Sequence, residues 1–153
     1  MRSWSEPASG TFTEGPCRRG REKPMGIVVG YLATPEGRSA LAAAVDEARR
    51  RQTPVVVVVS ARPGEPDSER AVIEADLDQV RAHLAETGVE HEVLLLESGD
   101  VADDLISTAE QVGAQLIVLG LRRRSPVGKL ILGANAQRVL FDASCPVLTV
   151  KPS

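Results

Sequence analysis

The chain has 153 residues, 42% of them hydrophobic and only 3% aromatic, with a formal net charge of −3. That length builds one core and not two ordinary domains. The weak charge gives no electrostatic case for nucleic acid, and the four aromatics (Trp4, Phe12, Tyr31 and Phe141) are too few for base-stacking platforms.

Residues 1–24 hold five Lys/Arg against three acids and show no helical or strand periodicity. Gly, Pro, Ser and Thr interrupt them repeatedly, so they are expected to form a disordered tail. They lack the apolar stretch of a signal peptide. Met25 follows at once and opens the first strand, which makes it a second candidate for the translation start. The folded domain is expected over residues 25–153.

From Met25 the pattern alternates strand and helix. Ile27–Val29 is the first strand. Thr34 then caps a helix with Pro35 at its first position, where a missing N–H costs nothing. Leu41, Ala44, Val45 and Ala48 follow the i, i+3, i+4, i+7 spacing of one buried face. Val55–Val59 is a strand of valine alone, which implies burial on both faces. A second helix is expected over 68–87, with Ile73, Leu77, Val80 and Leu84 on one side and Gly88 as its cap. Glu92–Leu96 is the third strand.

Asp100 caps a third helix that turns Leu105, Ile106, Ala109 and Val112 inward and stops at Gly113. Leu116–Leu119 is the fourth strand and ends at Gly120. A polar loop is expected over Leu121–Lys129. A fourth helix starts near Asn135 with Ala136, Val139, Leu140 and Ala143 on one face, and Pro146 introduces a last strand, Val147–Val150. Helical crossovers between short apolar strands define an α/β fold, a parallel sheet with helices on both faces. Ligands of such sheets bind at the carboxyl ends of the strands, where strand order reverses.

Several chemistries find no support. Cys17 and Cys145 are two distant thiols, neither a disulfide framework nor a zinc cluster, and a cytoplasmic location fits them. Cys145, just before a strand, reads as a small buried thiol. His83 and His91 lack partners for a metal site. Asp100, Asp103 and Asp104 are the capping and first-turn acids of a helix. Arg49, Arg50 and Arg51 end a helix, where cations are favourable. No apolar run approaches the ~18 residues of a membrane span. Ser125 has no neighbouring base, so no catalytic residue is expected.

The stretch from Gly120 to Asn135 is the candidate site. It joins a strand end to a helix start, whose first N–H groups have no partner within the helix and attract phosphate together with the helix dipole. Arg122, Arg123, Arg124 and Lys129 add positive charge beside it. Ordinary turn chemistry explains the glycines equally well, and no Gly-Lys-Ser/Thr ends the segment, so it is not a P-loop.

This segment resembles the closing signature of universal stress proteins: Gly, two residues, Gly, nine residues, Gly, then Ser or Thr. Thr34–Leu41, Gly99–Asp103, Val112–Gly120 and the run Leu132–Asn135 through Cys145–Leu148 resemble further parts of that family in the right order, over about residues 25–151. The resemblance implies a Rossmann-like sheet of order 3-2-1-4-5 and a homodimer through the last strand. It also implies ATP or a related adenine nucleotide as ligand. Gly120 would then sit by the ribose, Gly133, Ala134, Asn135 and Ala136 at the phosphates, and Val59 along the adenine. Arg122, Arg123 and Arg124 are expected to compensate for departures from the family's pattern by pairing with phosphate directly.

Three positions depart from the pattern. Arg123 replaces a glycine, Ala134 replaces the hydroxyl residue, and Leu32 stands where the family carries an Asp for the ribose. The expected function is a regulatory nucleotide-binding module of the stress response, not an enzyme, with a regulatory partner that the sequence does not name. The alternatives are a nucleotide-free dimerisation module of the same fold, favoured by Leu32 and Ala134, and a weak ATPase.

Overall fold

The structure is a computed structural model that describes residues 26–123, 130–131 and 133–152, the backbone alone at 123, 130 and 131. The tail expected at 1–24, Cys17, Arg124 and Lys129 lie outside the described residues. Five strands, β1 (Ile27–Gly30), β2 (Val55–Ser60), β3 (His91–Leu96), β4 (Leu116–Gly120) and β5 (Val147–Val150), form one parallel sheet of order β3-β2-β1-β4-β5. Four helices connect them: α1 (Pro35–Arg51), α2 (Asp67–Thr87), α3 (Val101–Val112) and α4 (Ala134–Asp142).

The two faces of the sheet are separate apolar clusters, and alternation along each strand assigns them. Val55, Val57 and Val59 pack with Ile27, Val29 and the inner faces of α1 and α2. Val56 and Val58 pack with Val28, Ile117, Leu105, Ala109 and Val139 on the side of α3 and α4. Every valine of β2 is buried, as a strand covered on both faces requires.

The caps form as their residue types demand. Thr34 Oγ1 accepts from the Gly37 amide at 3.1 Å, and Asp100 Oδ1 accepts from the Asp103 amide at 3.0 Å. Gly88 and Gly113 end α2 and α3 in the left-handed conformation. Gln52 ends α1 in the same region, at φ 54° without being glycine. Cys145 is half-buried against the α3–α4 cluster, and burial pushes its thiol pKa up.

Two expectations need correction. Leu140 does not face the core: it is 39% exposed, and in the nine-residue α4 Val139 alone is fully buried. The inward face is narrower than the helical spacing implies, with Ala136 and Ala143 half-buried on either side of Val139. The loop after β4 also carries structure at its ends, because Arg122 pairs antiparallel with Ile131 and Arg123 with Leu130.

The first turn of α1 lies very close to two strand ends. A Cβ on Gly37 would stand 1.9 Å from the Leu32 carbonyl oxygen, and one on Gly120 would stand 2.3 Å from that of Glu36. Replacing a helical glycine by alanine ordinarily stabilises by about 1 kcal/mol. Here the added carbon meets backbone, and overpacking of that kind costs about 1–3 kcal/mol or more. Gly37→Ala and Gly120→Ala are each expected to lower the urea midpoint. A neutral or raised midpoint would show that the first turn of α1 moves aside freely.

Candidate functional site

The carboxyl ends of β1, β2 and β4 open into a cavity of about 250 Å³. It lies where the order of the sheet reverses, between β1 and β4, the place such folds leave open. Gly30 and Leu32 contribute from β1 and its exit, Val58 and Ser60 from β2, and Leu119 to Arg122 from β4 and its exit. Val101 and Leu105 of α3 form one wall, and Gly133 to Ala136 with Val139 form the other. No Asp or Glu stands among the described lining residues.

The start of α4 differs from the other helix starts. Gly133 provides no side-chain cap, and the first turn carries no acid, whereas α1 has Thr34 and Glu36 and α3 has Asp100 and Asp103. The first helical bond at this end runs from the Gln137 amide to the Gly133 carbonyl at 3.0 Å. The amides of Ala134, Asn135 and Ala136 therefore face the cavity end without a partner inside the helix. Gly133 has φ −69°, an ordinary value, and a Cβ there would meet nothing within 4 Å. Its openness comes from surrounding space and not from an unusual backbone.

Of the residues expected at the site, Gly120, Arg122, Gly133, Ala134, Asn135 and Ala136 all line this cavity. Val59 does not. It points to the opposite face, among α1 and α2, because alternation along β2 gives the cavity Val58 and Ser60 instead. Arg123 has its backbone in the short ladder beside Arg122. Arg122 is not an isolated cation: its Nε lies 3.7 Å from Glu36 Oε2 of α1. That pair is long and partly exposed, so it holds the guanidinium only weakly. Gly120 is close-packed against α1, a structural demand that exists whatever the cavity holds.

Sequence reasoning missed a buried polar group beside the cavity. Asp104 is buried, and its oxygens accept from Ser60 Oγ and Ser98 Oγ, each at 2.7 Å. The signal was available, since Asp104 falls one residue before Leu105 on the inward arc of α3 and one turn after Asp100. Leu32 is 48% exposed at the cavity mouth, an apolar side chain on a polar rim. Among the described residues no group of three His, Cys, Asp or Glu is arranged to hold a metal ion.

A second cleft, about 400 Å³, opens at the amino ends of the strands beside Gly26 and Pro54. Glu90 and Glu92 border it, and no helix starts there. Its charge is wrong for an anion, so the carboxyl-end cavity is the candidate site.

Residues 25–151 match the sequence profile of the Universal stress protein family. A universal stress protein of Mycolicibacterium smegmatis is 39% identical over 126 residues, which is 82% of this chain and 97% of the relative. A universal stress protein structure from Archaeoglobus fulgidus is 36% identical with a TM-score of 0.73, covering 83% of this chain and 98% of that one. A second, from the same organism and in complex with dAMP, is 30% identical with a TM-score of 0.70 over the same shares. The fold and the site together define a Rossmann-like α/β domain with a cavity at its switch point. This chain belongs to the universal stress protein family.

The two helices that wall the cavity are clasped together by charge. Arg138 of α4 donates from Nη1 to both oxygens of Asp100, at 2.9 and 2.8 Å, and from Nη2 to Asp103 Oδ1 at 2.6 Å. The Asp103 amide, and then this guanidinium, hold the Asp100 carboxyl below its ordinary pKa. A carboxyl so depressed binds its proton less readily in the folded chain. Its contribution is present at neutral pH and is lost as pH falls through and below the ordinary value of about 4. Arg138→Ala is expected to melt below wild type at pH 7, with the gap closing in acid. An equal gap at pH 7 and pH 3 would show that the arginine acts through packing and not charge.

Proposed function

We propose that the cavity takes an adenine nucleotide, that its phosphate sits on the start of α4, and that the chain is a regulatory nucleotide-binding module of the stress response. One observation carries the reading: a helix start with no side-chain cap and no acid in its first turn opens into a cavity whose described lining holds no carboxylate. Phosphate satisfies such donors and the positive end of the dipole at once. The dAMP complex of the Archaeoglobus relative supports the choice of ligand. ATP and related adenine nucleotides are the ligands to compare.

Within this reading Ala134, Asn135 and Ala136 offer amides to phosphate, Gly133 leaves room for it, and Arg122 adds charge at the rim. Gly120 borders the sugar. Among the described residues the lining holds no carboxylate, histidine or lysine. The domain is residues 25–153 in this proposal, and its location is the cytoplasm. No described helix is long and apolar enough to cross a membrane.

The partner we propose is a second copy of the chain, paired through β5. That strand is the edge of the sheet, and its outer side needs cover. Leu148 on β5 is 36% exposed and Phe141 on α4 is 83% exposed. Light scattering at micromolar concentration should give a dimer mass, reduced toward the monomer by Leu148→Glu. A monomeric wild type would contradict the pairing.

Calorimetric titration tests the ligand. Wild type is expected to bind dAMP and ATP with heats that saturate below millimolar concentration. Because the space beside Gly133 is empty and its backbone ordinary, Gly133→Val should keep the circular dichroism of wild type yet weaken binding at least tenfold. Ala134→Ser should tighten it by up to about 1.5 kcal/mol, the net value of one hydrogen bond. If wild type and Ala134→Ser both leave every adenine nucleotide unbound, the nucleotide-free dimerisation module is the better description.

A further inference from the structure

We infer that Ser60 reads the base of the bound nucleotide, with Asp104 setting its hydroxyl so that the cavity selects a head group carrying an N–H donor, as a 6-aminopurine does. The inference rests on the nucleotide reading of the same cavity and adds the atom that discriminates among bases. It begins with a buried carboxylate. Asp104 is 6% exposed, and each of its oxygens receives a serine hydroxyl, Ser60 Oγ on Oδ2 and Ser98 Oγ on Oδ1, both at 2.7 Å. Both carboxylate oxygens accept, and each serine hydroxyl donates. The single proton of the Ser60 hydroxyl is thereby committed to Asp104. What remains on Ser60 Oγ is acceptor capacity alone.

Position gives that acceptor its object. Ser60 ends β2 and lines the cavity on the same side as Val58. The start of α4 lies across β1, on the β4 side of the cavity. A nucleotide with its phosphate on the amides of Ala134 to Ala136 therefore extends its base toward the end of β2. There Ser60 presents its hydroxyl beside the apolar side chains of Val58, Val101 and Leu105. In such surroundings one oriented acceptor discriminates strongly, because a partner that offers only lone pairs leaves both groups without a hydrogen bond. A site built around a defined hydrogen bond rejects the analogue that lacks it better than an apolar pocket rejects a change of size.

A purely structural role is the competing account: the serines only satisfy a buried carboxylate. The two roles differ in what they move. A structural pair changes stability and leaves base preference alone, whereas a reading pair changes the ratio of affinities between ligands that differ at one group.

The full chain is titrated with dAMP and with the 5′-monophosphate of 2′-deoxyribosylpurine, the same molecule without its 6-amino group. In wild type dAMP is expected to bind about tenfold tighter, the effect of one hydrogen bond of ordinary strength. In Ser60→Ala the ratio should fall to about one, through weaker dAMP binding, with the amino-free ligand little changed. Asp104→Asn gives a second readout. Its carboxamide can donate to Ser60 and release the hydroxyl proton toward the cavity, so dIMP, with a carbonyl at position 6, should gain on dAMP. Should the buried substitution prevent folding, Ser60→Ala alone decides. If dAMP binds wild type but the two ligands bind equally, or Ser60→Ala keeps the tenfold ratio, the inference is overturned and the nucleotide reading stands. If no nucleotide binds wild type at millimolar concentration, both fall together.

Discussion

The first turn of α1 lies against the ends of β1 and β4 at a distance that only glycine permits. Gly37 brings the turn onto the Leu32 carbonyl, and Gly120 lets the end of β4 reach the Glu36 carbonyl. This contact spans the point where strand order reverses, and it sets the geometry on which the cavity depends. With α1 drawn in, Glu36 comes within reach of Arg122, the first residue of the short antiparallel pair. The start of α4 lines the same cavity as the strand ends. A bulkier residue at either glycine pushes α1 outward and changes the floor of the cavity before any ligand is involved.

Around that point the structure separates apolar from polar tasks. One face of the sheet, covered by α1 and α2, is apolar along the whole length of β2. The other, covered by α3 and α4, is apolar at depth and polar at its upper end, where Asp104, Ser60 and Ser98 form a connected group. A buried carboxylate without hydrogen bonds would be costly, and two hydroxyls offset that cost. The Arg138 clasp adds an exposed link between the same two helices. The cavity is thus bounded by two helices tied together from the start of α3 to the middle of α4.

Most of the fold was legible because its signals are local. A run of valines, helical spacing of Ala, Leu and Val, and Thr34, Asp100, Gly88 and Gly113 at helix ends each act within a few residues. The ordering of the strands came instead from the resemblance to the family. What the residues did not give was phase and long-range pairing. Val59 and Ser60 are neighbours in a uniform strand, and nothing in five valines says which faces the cavity. Leu140 continues an apolar spacing, but α4 is short and its buried arc is one residue wide. The Arg122–Glu36 contact, the Arg138 clasp and the Asp104 pair join positions 35 to 86 residues apart in the chain. They follow from the folded sheet and leave no periodic trace. The candidate site was found through its glycines and helix start, which are local, while the Ser60–Asp104 pair beside it was missed because packing makes it.

The central claim is that phosphate meets the amides of α4 while the base reaches the end of β2. Amide chemical-shift mapping of the 15N-labelled chain during dAMP addition tests it most directly. The account predicts the largest shifts at Ala134, Asn135 and Ala136, with a second group at Ser60 and Ala61 across β1. Shifts concentrated at Glu90 to Glu92, beside the cleft at the amino ends of the strands, would contradict it.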